Sequence, residues 1–142
     1  MTIKSFRGLL PTGEQHRIYL SGGDSSTGYR IVKFEVIAET PGSTGYEHVL
    51  KIYKTSQAVI DGTIDFGNDS LLGAAYLEGN NSSNYTDSLV IVFDREVVNQ
   101  DIFITQKDSG SEPCNYYIEL EEVKMSDAEA ANVNFVAALV HT

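Results

Sequence analysis

Residues 29–38 read Tyr-Arg-Ile-Val-Lys-Phe-Glu-Val-Ile-Ala. Val32, Phe34, Val36 and Ala38 fall on one side of an extended chain, and Lys33 and Glu35 on the other. That period of two is the mark of a half-buried β-strand. Working outward, similar short runs rich in β-branched and aromatic residues occupy 3–10, 15–20, 46–54, 71–77, 89–93, 101–105 and 115–125. Along 46–54, His48, Leu50 and Ile52 share a face, with Glu47, Lys51 and Tyr53 toward the other. Along 115–125, Tyr116, Ile118 and Leu120 alternate with Tyr117, Glu119 and Glu121. Residues 71–77 are small and apolar, so they suit either a strand buried on both faces or a helical turn. The unbroken Leu-Val-Ile-Val-Phe of 89–93 reads as a central strand.

Turn residues punctuate these runs. Pro11-Thr12-Gly13, Pro41-Gly42, Asp61-Gly62, Gly67-Asn68-Asp69, the Asn/Ser-rich 79–84 and Ser109-Gly110-Ser111 supply positive φ or hydrogen bonds from side chain to backbone. About eight short strands at such spacing predict an antiparallel β-sandwich of jelly-roll type. The period changes after residue 125. Ser126 with Glu129 three positions on forms a capping box, and Ala128, Ala131, Phe135, Ala138 and Leu139 share a helical stripe. The expected organisation is therefore an all-β sandwich over 1–125 and a short C-terminal helix over 126–142, packed on the same domain. The expected core is Phe34, Val36, Ile52, Val90, Val92, Ile102, Ile104, Ile118 and Leu120.

Composition narrows the function classes. The chain has 142 residues, one cysteine, and 14 Phe plus Tyr, which argues for a single folded domain without disulfide staples. Its longest apolar run, 135–140, is six residues, far short of the ~20 a spanning helix needs. The first 20 residues carry Lys4, Arg7, Glu14 and Arg17 and do not read as a signal peptide. A net charge of −10 disfavours nucleic acid. The charge is uneven: residues 1–54 hold seven basic and five acidic groups, whereas 55–142 hold three and fifteen. Either the molecule has a basic and an acidic face, or strands from the two halves interleave and blur the difference.

No nucleophile elbow, phosphate-binding loop, dinucleotide fingerprint or paired-carboxylate pattern occurs, so no catalytic residue and no cofactor are expected. His16, His48 and His141 lack metal-ligand spacing. Asp61, Asp65 and Asp69 recur every fourth residue, which suits calcium or, more simply, turns. Cys114 beside Glu112 reads as a small apolar filler. The Asn-x-Ser/Thr tripeptides at Asn68, Asn80, Asn81 and Asn84 read as products of Asn/Ser-rich loops, and 78–88 as an exposed loop. Eight tyrosines without tryptophan would suit sugar stacking if they gathered on one face, which is the basis of a rival reading as a carbohydrate- or host-recognition module of a tail or fibre.

Several runs in order carry a resemblance: Thr2-Ile3-Lys4-Ser5-Phe6-Arg7-Gly8, Gly28-Tyr29-Arg30-Ile31-Val32-Lys33-Phe34, Lys51-Ile52-Tyr53-Lys54-Thr55, Ile64-Asp65-Phe66, Phe93-Asp94-Arg95-Glu96-Val97, Asn99-Gln100-Asp101-Ile102-Phe103-Ile104-Thr105 and Cys114-Asn115-Tyr116-Tyr117-Ile118-Glu119-Leu120-Glu121. Together they resemble small virion structural proteins of tailed bacteriophages, particularly marine ones. The resemblance implies a non-enzymatic β-sandwich, assembled in the bacterial cytoplasm, that decorates a phage capsid and partners the major capsid protein lattice. Edge strands and lattice symmetry then point to trimers on the particle. The charge arithmetic points to Lys4, Arg7 and Arg17 as the contact residues, because the less acidic end is the cheaper one to bury. No nucleic acid or membrane partner is expected.

Overall fold

A computed structural model describes residues 2–20, 26–79 and 88–125. It contains eight strands: β1 (Ile3–Leu10), β2 (Glu14–Ile18), β3 (Thr27–Ala38), β4 (Glu47–Tyr53), β5 (Leu71–Glu78), β6 (Ser88–Phe93), β7 (Ile102–Asp108) and β8 (Cys114–Lys124). They form two antiparallel sheets, a three-stranded one in the order β1-β8-β3 and a five-stranded one in the order β2-β7-β4-β5-β6. The all-β sandwich read from the alternation is the fold observed. The described residues contain no helix long and apolar enough to cross a membrane. The helix expected over 126–142 lies outside the described residues.

An eight-stranded jelly roll is a long antiparallel ribbon folded over, which pairs first with eighth, second with seventh, third with sixth and fourth with fifth. Three of those pairings hold here. The departure is β6, which stays beside β5 as a hairpin partner instead of crossing to β3. On the β3 side only a bridge remains, in which Tyr29 and Val98 exchange both backbone hydrogen bonds at 2.7 and 2.8 Å.

The core lies between the sheets. Phe34 and Val36 of β3, Leu50 and Ile52 of β4, Ile102 and Ile104 of β7, and Ile118 and Leu120 of β8 are all buried in it. The expected phase of β3 needs one correction. A β-bulge between Ile31 and Lys33 inserts Val32, which is half-buried, so the inward residues are Tyr29 and Ile31 before it and Phe34, Val36 and Ala38 after it.

Val90 and Val92 are also corrected. They are 58% and 48% exposed, because β6 is an edge strand, not a central one, and turns them to the outer face. Ile91 and Phe93 pack on the core instead. An apolar run alone does not tell two covered faces from one covered face.

The run 71–77 is a strand, buried from Leu71 to Ala75. On β4, Val49, Lys51 and Tyr53 are buried as well as the inward residues. The long β4–β5 connection covers that outer face, and Lys51 Nζ holds it by donating to Asp61 Oδ1 at 2.9 Å and the Thr63 carbonyl at 2.6 Å.

Candidate functional site

The outer face of the three-stranded sheet is open. Register across it aligns Leu9, Asn115 and Ile37 in one row, Arg7, Tyr117 and Glu35 in the next, and Ser5, Glu119 and Lys33 in a third. Alternation sends Gly8, Tyr116 and Val36 inward and leaves these rows in solvent. The first two rows border a shallow groove of about 670 Å3, lined by Arg7, Leu9, Lys33, Glu35, Ile37, Asn115 and Tyr117, with Gly8 and Tyr116 beneath. Leu9 and Ile37 stand at its end 41% and 59% exposed, and set an apolar margin beside the charged row.

The polar groups of this face are mostly committed to one another. Lys33 Nζ lies 3.5 Å from Glu35 Oε1 and 5.8 Å from the Tyr117 ring centroid. The Tyr117 hydroxyl donates to Glu119 at 2.6 Å, and that bond, with the adjacent carboxylate charge, raises the phenol above its ordinary pKa. Arg30 pairs with Glu121 at 2.7 Å farther along the sheet. Arg7 makes no ion pair among the described residues.

The three basic residues expected at a contact are not brought together. Lys4 is bound to Glu122 at 3.3 Å and reaches the Tyr29 hydroxyl at 3.5 Å, and the Glu122 contact raises its pKa. Arg17 lies on β2, in the other sheet. Its guanidinium grips the buried Asp101 carboxylate through Nε at 2.6 Å and Nη2 at 2.5 Å, beside a separate cleft of about 490 Å3 that includes Lys54, Thr55 and Gln100. Only Arg7 sits in the open groove. The charge asymmetry along the chain dissolves for the same reason: β1 and β3 of the basic half pair with β8 of the acidic half, and β2 and β4 with β7.

Other candidate chemistry is absorbed by the fold. Asp61 serves Lys51 and accepts the Thr63 N–H. Asp65 accepts the Gly67 N–H at 2.8 Å, and Asn68 that of Ser70 at 2.9 Å, so this stretch is a chain of turns. The described residues hold no group of three or more His, Cys, Asp or Glu suited to a metal ion.

His48 and Asp108 have the composition of an acid–base pair, but both are sealed in the interior and His48 lines none of the clefts above. His16 bonds the Tyr116 hydroxyl at 3.0 Å, and His141 lies outside the described residues. Burial, with the Asp108 charge nearby, pushes the Cys114 thiol up to about 12, which leaves it inert. Residues 80–87, with Asn80, Asn81 and Asn84, also lie outside the described residues.

Tyr85 lies outside the described residues, and among the described ones the tyrosines do not gather. Tyr29, Tyr46, Tyr53 and Tyr116 are buried, Tyr19 follows β2, and Tyr76 and Tyr117 lie on different sheets.

Compared with known proteins, the chain matches no family model and no curated protein. The surface geometry is therefore what the functional reading draws on, together with the runs quoted above. Neither Leu9 nor Ile37 stands out in the sequence, where each is one apolar residue within an apolar-rich strand run. The available signal was phase: each is an apolar residue at a position whose neighbours, Leu10, Val36 and Ala38, already fill the inward face.

Proposed function

We propose that this chain is a structural protein of a bacteriophage virion, a decoration module that attaches to the capsid lattice through the open face of the three-stranded sheet. The observation that carries the reading is the groove: a hydrogen-bonded sheet face with Leu9 and Ile37 exposed at one end and, beside Tyr117, an Arg7 that makes no ion pair among the described residues. Interfaces favour apolar anchors, Tyr and Arg over Lys and Glu, and this face offers them in a rigid frame. Net charge opposes aggregation of free copies before assembly. The reading further places the protein in the virion after assembly in the host cytoplasm, grouped as trimers at local three-fold positions, and without catalytic activity. A sugar-binding module on a tail draws no support from the dispersed tyrosines.

Two measurements test it. Quantitative mass spectrometry of purified virions should find hundreds of copies per particle; a few to tens would move the protein to the tail, and none would remove it from the virion. Purified chain should rebind stripped particles, and Ile37→Asp and Arg7→Glu should lower occupancy while melting as the parent does. Undiminished rebinding by both would show that this face is not the contact.

A further inference from the structure

Among the described residues, β6 is the last strand of its sheet and nothing pairs with its outer side. We propose that this edge is a self-association surface, on which a second copy of the chain lays its own β6 antiparallel across a two-fold axis. The inference does not rest on the virion reading.

Comparison with the other edges shows what is unusual. β1 carries Lys4 and Arg7. β3 carries Lys33 and Glu35, and its Tyr29 is bridged by Val98. β2 is five residues long with Glu14 and Arg17, and its Gln15 is tied to Gln57 and Ser56. Charge, shortness and covering loops are the devices that keep sheet edges from pairing. Ser88-Leu89-Val90-Ile91-Val92-Phe93 has no charge at all.

The surface beside this edge is apolar too. Val90 and Val92 face outward, Leu89 is 53% exposed, and Phe66, 68% exposed, lines a small cleft with Val92 and Leu71.

Two physical arguments select a second copy as the occupant. The first is charge. Two copies that each carry −10 meet at least electrostatic cost where neither sets a charge against the other, and β6 is an uncharged strip of that kind. A cationic or nucleic-acid partner would find no counter-charge on it.

The second is geometry and area. A two-fold axis perpendicular to the sheet opposes residues of the same face, so outward valines meet outward valines and the five-stranded sheet continues through the pair. Val90, Val92 and the nearby Phe66 each expose on the order of 100 Å2, which gives roughly 300 Å2 of apolar surface beside the edge, comparable with the largest patch on a typical monomer. Edge-to-edge pairing covers the strand backbone and the flanks of these side chains but leaves their outward faces in solvent, so the pair buries less than the ~1,200 Å2 lower bound of specific interfaces. The dimer is therefore weak and concentration-dependent.

Sedimentation velocity of the purified chain, over a concentration series at low and moderate salt, tests this directly. The expected result is a monomer–dimer equilibrium that shifts toward dimer with concentration and with salt, since salt screens the mutual repulsion. The double variant Val90→Lys, Val92→Lys should remain monomeric with an unchanged melting temperature, while Ile37→Lys on the other sheet should dimerise as the parent does. As a check independent of charge, Val90→Cys and Val92→Cys, alone and mixed, should give a disulfide-linked dimer under mild oxidation in at least one combination; Cys114 is buried and silent.

A parent that stays monomeric throughout, a dimer that survives the double variant, or no cross-link in any combination would overturn the proposal. So would a monomeric parent whose particle binding alone is lost in the double variant, because the edge would then take a strand of the shell.

Discussion

The imidazole of His48 and the carboxylate of Asp108 are paired residues on β4 and β7, with Nδ1 3.3 Å from Oδ1 and neither side chain reaching solvent. Asp108 is the hub of this end of the sandwich. It also accepts the backbone N–H groups of Glu47 at 2.9 Å, Gly110 at 2.9 Å and Glu112 at 3.1 Å, so it closes the loop between β7 and β8. Burial alone would raise its pKa. The N–H groups of Glu47, Glu112 and Gly110, helped by His48, outweigh burial and hold it below its ordinary value of 3.8.

The sign of the pH dependence follows. The unfolded chain takes up a proton on Asp108 at higher pH than the folded chain does. This group's contribution is therefore complete above about pH 4 and is lost as pH falls through the lower, folded value. Asp108→Asn should cost roughly 2–4 kcal/mol at neutral pH, since three N–H donors lose a charged acceptor. Urea denaturation near pH 7 and near pH 2.5 should show the gap between parent and variant narrowing in acid. An equal gap at both would refute the assignment.

Gly79 is packed face-on against Tyr46: a methyl group at position 79 would overlap the ring, which is itself stacked on His48 at 5.0 Å between centroids. The two residues also share a backbone hydrogen bond from Gly79 N–H to the Tyr46 carbonyl, 2.9 Å. Gly79→Ala should therefore cost about 1–3 kcal/mol through overpacking. Gly42→Ala is the control, because its added methyl meets nothing within 4 Å, and it should melt with the parent.

Phe34 and Val92 separate the true core from the edge. Phe34→Ala should lose about 3–5 kcal/mol, the usual cost of emptying a buried aromatic site. Val92→Ala removes an exposed side chain and should stay within about 0.5 kcal/mol. Chemical denaturation measures both, and comparable losses would mean that β6 is covered on its outer face.

Arg17 and Arg7 have the same side chain and should behave differently. Arg17→Glu sets a second carboxylate against the buried Asp101 and should destabilise by roughly 1–3 kcal/mol. Arg7→Glu breaks no ion pair among the described residues and should leave stability within about 0.5 kcal/mol. Weakened particle binding by Arg7→Glu thus reports the contact, whereas weakened binding by Arg17→Glu reports the fold; thermal melts beside the rebinding assay distinguish them.

The strands were legible because period-two alternation is local. A residue's neighbours two positions away already say which face it shares, and 3–10 coincides with β1 to the residue. The turns were legible for the same reason: Asp65, Asn68 and Gly13 act on backbone within a few residues, and Gly13 indeed takes φ of 80°. Of the three basic residues expected at a contact, the sequence could not show that Lys4 and Arg17 are engaged in ion pairs, because their partners, Glu122 and Asp101, lie 118 and 84 positions away in the chain.

By itself the sequence determined where most strands lie, the sandwich class and the inward residues of β4, β7, β8 and the part of β3 after its bulge, since these follow from side-chain pattern along a single extended segment. Tertiary structure alone decided which strands became edges and which outer faces were covered. Val49, Lys51 and Tyr53 are buried because the β4–β5 connection folds back over them, while Val90 and Val92, of similar character, stay exposed because β6 remained beside β5 at the end of its sheet. Both outcomes depend on where a distant segment lands, and the local periodicity of the buried strand and of the exposed one is compatible with either.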